Sequence, residues 1–274
     1  MTSAWFVRYA PRLRAAAKAA LWHLCISVLI ALAAGIVVFG LWYPFPYRNL
    51  SGGLHLFVTL VSVDVVCGPL LTFILFNPAK SWREMIVDFS LIGLIQLAAL
   101  LYGMHVVAQA RPVIVAFEVD RLVAVSAEEI DHSKLHQALP PFQRLSWSGP
   151  RLVGTRQAKP DEVLKSVQDS LNGVEPSARP NWWQPYEQSV PAIQKRMRKV
   201  TDLWARLTPA QQHKLDQAEH ATGLPMADLY YLPLTSAKQL DSWIVLLNNQ
   251  GQIVGFAPLD GFPPDHGWKP AQNR

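Results

Sequence analysis

Three apolar runs dominate the first 110 residues and leave this part of the chain few ways to fold. Leu21–Tyr43, Leu54–Phe76 and Val87–Ala110 hold 23, 23 and 24 residues, close to the roughly 20 that a helix needs to cross the hydrocarbon of a bilayer. A backbone in lipid must satisfy its polar groups internally, so these runs are read as three transmembrane α-helices. Half of the 274 residues are hydrophobic and only 16% are charged, too apolar a composition for an ordinary soluble domain of this length.

The first run has a rival reading as a cleaved signal peptide. Arg8, Arg12, Arg14 and Lys18 precede it, and Ala31-Leu32-Ala33 imitates a cleavage site. Hydrophobicity continues past that point to an aromatic end, so the run is read as a retained anchor. Basic residues in short loops set the orientation: four in the tail 1–20, Lys80 and Arg83 in the second loop, Arg48 alone in the first. The N-terminus is therefore expected in the cytoplasm and everything after Arg111 outside it. Residues 1–110 carry seven basic and three acidic side chains against eighteen and seventeen in the remainder. The pI near 9.3 is thus a topology signal, and no nucleic-acid partner is expected.

Both cysteines, Cys25 and Cys67, lie in the apolar runs. The exported part, 111–260, must fold on a hydrophobic core without disulfides. Residues 261–274, rich in proline and polar side chains, are expected to be a flexible tail. The aromatic LWYPFPY after the first run suits a headgroup belt, with its prolines ending the helix. VIVAFEVDRLVAV reads as a strand pair around Glu118–Arg121. Ala127–Leu139 and Lys159–Leu171 read as helices, Pro140–Gly154 as irregular, and Asn172–Pro185 as a connection carrying Trp182-Trp183. Ile193, Met197, Val200, Trp204 and Leu207 recur at spacings of four, three, four and three, predicting one amphipathic helix. Thr208-Pro209-Ala210-Gln211 is a capping-box start for a helix that stops near Gly223. Trp243–Leu247 and Gln252–Ala257 form a terminal hairpin around Asn248–Gly251. The expected fold class is a membrane protein, three N-terminal transmembrane helices followed by a periplasmic α+β domain.

Asp64, Gly68 and Thr72 follow one another at spacings of four and share a face of the second membrane helix. A lipid-facing aspartate costs about 2.5 to 3.5 kcal/mol at a helix centre, so this face is expected to meet protein. Pro69 removes a donor beside it, and Gly68 admits a close neighbour. The third helix offers Gly93, Gln96 and Gly103, and Asp64 is expected to pair with Gln96. The face therefore reads as packing within the anchor or as a docking site for a partner's membrane helix, with a proton relay disfavoured because no chain of ionisable partners accompanies Asp64. His132 and His136, four apart, lack a third ligand of clear spacing and read as solvated. Lys195, Arg196, Arg198 and Lys199 read as a wet helix face or as a contact for an acidic partner or lipid headgroups, and Trp182-Trp183 as core filling or anchoring, with a recognition surface as the alternative. No Walker A, G-x-S-x-G, H-E-x-x-H or thiolate motif is present, so neither catalysis nor a cofactor nor a metal is expected.

WYPFPY, VDVVCGPLLTFILFNPAKS, DFSLIGLIQLAALLYGMHVV with ARPVIVAFEVDRL, and late on DSWIVLLNNQGQIVGFAPLDGF resemble the type IV pilin accessory (TfpX/TfpZ) family of Gram-negative inner-membrane proteins. The match falls at Asp64, Gly68, Pro69, Phe76, Asn77, Pro78, Lys80, Asp88, Gln96, Tyr102, Gly103, Arg111 and Pro112. The resemblance implies a non-enzymatic, chaperone-like partner of a major type IV pilin, and of other pilus assembly proteins. It would help pilin subunits enter the pilus or modulate extension and retraction. The alternatives are a membrane enzyme that modifies pilin and a periplasmic sensor acting through a partner.

Overall fold

The computed structural model describes residues 3–263, so the tail expected from Gly261 lies outside the described residues from position 264 on. The chain divides into two compact units. One runs to Pro44 and resumes over Gly52–Ala110; the other is Phe45–Ser51 together with everything from Arg111.

The first unit is helical. Helix α1 spans Ser3–Val37 and loosens into a π turn over Val38–Trp42, closed by the Tyr43 N–H donating to the Val38 carbonyl at 2.8 Å. After the four-residue α2, Tyr47–Leu50, come α3, Gly53–Leu75, and α4, Trp82–Gln109. All three long helices are apolar and long enough to cross a membrane, and most of their large hydrophobic side chains face outward. Helix α4 starts five residues before the expected Val87. Ser81 caps it and shares a capping box with Glu84, a polar start that hydrophobicity alone does not reveal. Lys80 in the preceding turn pairs with Asp88.

The aromatic stretch expected at the headgroup level is divided: Leu41 and Phe45 are exposed, whereas Tyr43 and Tyr47 are buried. Tyr43 is fully buried; its hydroxyl donates to the Val107 carbonyl at 2.9 Å, and its ring lies where a β-carbon on Gly53 would otherwise sit. Tyr47 and Leu50 belong to the hydrophobic core of the second unit.

The second unit is built on one mixed sheet of eight strands. They are β1 Pro112–Glu118, β2 Arg121–Ser126, β3 Arg151–Thr155, β4 Trp183–Pro185, β5 Arg198–Lys199, β6 Tyr230–Ser236, β7 Trp243–Leu247 and β8 Ile253–Ala257. The order is β4-β3-β1-β2-β6-β7-β8, with β5 paired to β6. The pairs β1–β3 and β2–β6 are parallel and the rest antiparallel. Alternation divides the side chains between faces. Val115, Phe117, Leu122, Ala124, Leu232, Leu234, Val245 and Leu247 form one core with Tyr47 and Leu50. Ile114, Ala116, Val125 and Val153 lie in a second core, and Tyr231, Ile244 and Leu246 in a third. The β1–β2 turn holds Val119 at φ 57°, a left-handed backbone that β-branched residues disfavour.

The helices of this unit are α5 Val163–Leu171, α6 Val190–Arg196, α7 Val200–Trp204 and α8 Pro209–Thr222. Helix α8 has the anticipated Thr208–Gln211 capping box and ends at Gly223 with φ 71°. Three expectations are corrected. Ala127–Leu139 forms short 3-10 turns rather than a helix. The stretch around Arg151 and that around Trp183 are strands. The single amphipathic helix after Ser189 is two helices broken at Met197, whose ψ is 144°, with β5 between them. Ile193 enters the first core while Val200 and Leu203 enter the third, and one straight helix cannot serve both.

Candidate functional site

Within the membrane unit the polar face is filled by its own helices. Gln96 of α4 donates through Nε2 to the Asp64 carbonyl at 3.1 Å and lies 3.5 Å from Asp64 Oδ1. A β-carbon on Gly68 would fall on the Gln96 side-chain amide. Glycine therefore lets the Gln96 side chain lie against α3 and reach a backbone acceptor beside Asp64. One helical turn on, Thr72 Oγ1 is 2.5 Å from His23 Nδ1 of α1, a partner that sequence reading missed. Gly103 packs against Leu60 in the same way, whereas Gly93 has nothing near it. Pro69 is accommodated inside the continuous α3. Asp64, Gly68, Thr72 and Gln96 thus form a packing contact, and Gly93 is no part of it.

In the sheet unit a cavity of about 720 Å³ gathers Trp182, Lys195 and Arg196 with Arg156, Gln184, Gln188 and the β1–β2 turn. Trp182 is 6% exposed and Trp183 is 3%, as core filling requires, so neither offers the open ring of the alternative recognition surface. Trp183 points into the second core and donates from Nε1 to the Ser177 carbonyl at 2.8 Å. The indole of Trp182 lies against two guanidinium groups, Arg156 at 4.6 Å and Arg179 at 5.0 Å, an attraction of cation to ring face. Arg198 and Lys199 sit on β5, outside the cavity lining, with Lys199 Nζ over the Tyr230 ring at 5.4 Å.

Arg156 and Arg179, neither singled out from sequence, organise this wall. Arg156 makes a two-pronged contact with Glu162, at 2.6 and 2.8 Å. These hydrogen bonds, and one from the Lys159 N–H, hold the Glu162 carboxyl down at about 2. Arg179, 2% exposed, donates to the carbonyls of Val174 and Ser166 and to the hydroxyls of Ser166 and Ser170. It binds the polar side of α5 and turns the apolar side outward: Leu164 is 81% exposed, Val167 55% and Leu171 83%. Lys195 and Arg196, at the end of α6, are exposed and have no ion-pair partner among the described residues. The same domain thus carries two cations without an ion-pair partner among the described residues, at the cavity, and an outward apolar face on α5, features suited respectively to acidic and to apolar protein surface. His132 Nε2 lies 2.8 Å from the Ala127 carbonyl, His136 is exposed, and no group of three metal-binding side chains occurs among the described residues.

Comparison with known proteins fits both units. The family model described as fimbrial assembly protein FimB matches residues 11–52, the segment from α1 through α2. A curated fimbrial assembly protein of Dichelobacter nodosus, serogroup E1, is 37% identical over 248 residues, covering 90% of this chain and 96% of that protein. The chain belongs to the fimbrial assembly protein family. The serogroup I protein of the same organism is 36% identical over the same shares. The protein of serogroups C1 and C2 is 46% identical over 123 residues, which is 45% of this chain and 94% of that shorter relative. No solved structure matches the chain. In this member of the fimbrial assembly family, three helices able to span a membrane accompany a mixed-sheet α+β domain.

Proposed function

We propose that this chain is a type IV pilin accessory protein of the TfpX/TfpZ kind. It acts without catalysis, binding a major pilin to assist its assembly into the pilus or to modulate extension and retraction. The observation that carries the reading is similarity across nine-tenths of the chain to relatives named as fimbrial assembly proteins. Basic residues flanking the membrane helices support an inner-membrane location with a cytoplasmic N-terminus and a periplasmic sheet domain. Because Gln96 already occupies the Gly68 face, the pilin contact is assigned to the periplasmic domain, to Lys195 and Arg196 and to the outward side of α5. A pilin offers one membrane helix and a periplasmic head, and this helper has the same two-compartment layout.

The test is photo-crosslinking in cells of the native host from positions Leu164 and Lys195, with an internal control at Ile193. A pilin adduct from the first two positions and none from Ile193 is expected. Absence of any pilin adduct, in a strain whose piliation still requires the protein, overturns direct binding. A changed intact mass of pilin after deletion would point instead to a modifying enzyme.

A further inference from the structure

A second cavity in the sheet domain, of about 630 Å³, shares no lining residue with the basic wall. Its floor is apolar: Val123 of β2, cross-strand neighbour of Thr235 on β6, with Val125, Ala178, Leu240 and Phe262 around it. Among the described residues its lining carries five carboxylates, those of Asp120, Glu129, Glu175, Asp241 and Asp260, against one cation, Arg121. That asymmetry is local, because the chain after residue 110 has nearly balanced charge.

The cation is committed, since Arg121 lies 3.5 Å from the Glu118 carboxylate. Glu129 is also committed, to the Ser126 cap. The Glu175 carboxylate has no partner among the described residues, and Asp241 accepts only a 3.5 Å contact from Ser242. Desolvation, opposed by the Phe262 N–H and then reinforced by the Asp241 charge, holds the Asp260 carboxyl above the ordinary range. A separate observation also points to a ligand. Ser177 lines the cavity and is 1% exposed. Its N–H donates to Glu118 and its carbonyl accepts from Trp183. Its hydroxyl has no hydrogen bond to any described residue and is the polar group left at the wall.

We propose that this cavity binds a lysine or arginine side chain of a partner polypeptide. The methylene stem would lie along Val123, Val125 and Leu240, and the charged head would meet Glu175, Asp241 and Asp260, with Ser177 accepting a hydrogen bond. A volume of this size exceeds one such side chain and leaves room for the peptide atoms that flank it, so a bare alkylamine should bind less tightly than the side chain within a peptide. Long cationic side chains combine an apolar body with a charged tip, which is the division this lining presents. The site does not depend on the basic wall or on pilin being its ligand.

The full chain in nanodiscs is titrated calorimetrically with acetyl-leucyl-lysyl-leucine amide, with the same peptide carrying norleucine for lysine, and with hexylamine. The lysyl peptide should bind at least about tenfold more tightly than either control, and Asp241→Asn or Asp260→Asn should weaken it severalfold. Both substitutions lie at the rim, and unchanged far-UV dichroism would show that the fold is kept. Ser177→Ala should weaken binding less than either. Equal binding of the norleucine peptide, equal binding of hexylamine, or indifference to both carboxylate substitutions overturns the proposal.

Discussion

At Gly68 a β-carbon would fall on the Gln96 amide, so Gly68→Ala should push Gln96 off the Asp64 carbonyl. Overpacking of this kind costs about 1–3 kcal/mol, and the melting temperature of the detergent-solubilised protein should fall. Gln96→Ala vacates the same space, so the double variant should melt higher than the two single losses added together. An additive result would mean that the two residues do not touch. At Glu162 the sign is that of a depressed carboxylate. Its pKa falls from 4.5 to about 2, so the Arg156 contact stabilises fully above about 4.5 and is lost as pH falls through about 2. Glu162→Gln should therefore lower the melting temperature at neutral pH, and the difference from the parent should close as pH approaches 2. A gap that persists at the acid end would assign the loss to packing instead.

Among the elements, α2 is the one whose place is least expected from its position between two membrane helices. Leu50 is fully buried in the core of the sheet unit, and its carbonyl accepts from the Ser236 hydroxyl at 2.7 Å. Tyr47 is buried there too, and burial raises its phenol pKa. Leu50→Ala should cost about 2–5 kcal/mol, seen as a lower unfolding temperature of the sheet domain by near-ultraviolet dichroism. A neutral result would mean that the sheet domain does not need this segment. Helix α5 shows the reverse arrangement, polar side held inward by Arg179 and apolar side outward. Leu164→Ser with Leu171→Ser should leave thermal stability within about 0.5 kcal/mol.

For the whole molecule, the same double substitution separates stability from function. Stable, normally expressed protein with fewer pili on the cell would tie the exposed side of α5 to assembly. Unchanged piliation would remove α5 from the proposed contact. The serogroup E1 and serogroup I relatives match over 96% of their own length, a span that takes in both units.

Much of this architecture can be read from the chain. Uninterrupted apolar runs announced the three long helices, because lipid tolerates nothing else of that length. The Thr208–Gln211 cap and the Asn248–Gly251 turn announced their elements through local chemistry. The Asp64–Gln96 pairing was visible as well, since few groups inside such runs can satisfy an aspartate. What tertiary structure decided is where a pattern meets its partner. The spacing from Ile193 to Leu207 fits one helix, yet the residues serve two cores on opposite faces of a sheet, so the chain breaks at Met197. Composition leaves Trp182 and Trp183 open between core and surface; both are buried, Arg179 and Ser177 meeting them from nearby in sequence and Arg156 and strand β3 from farther away. Local sequence carries periodicity and caps; which core a residue joins is settled largely by segments far apart, which a single window of sequence does not hold together.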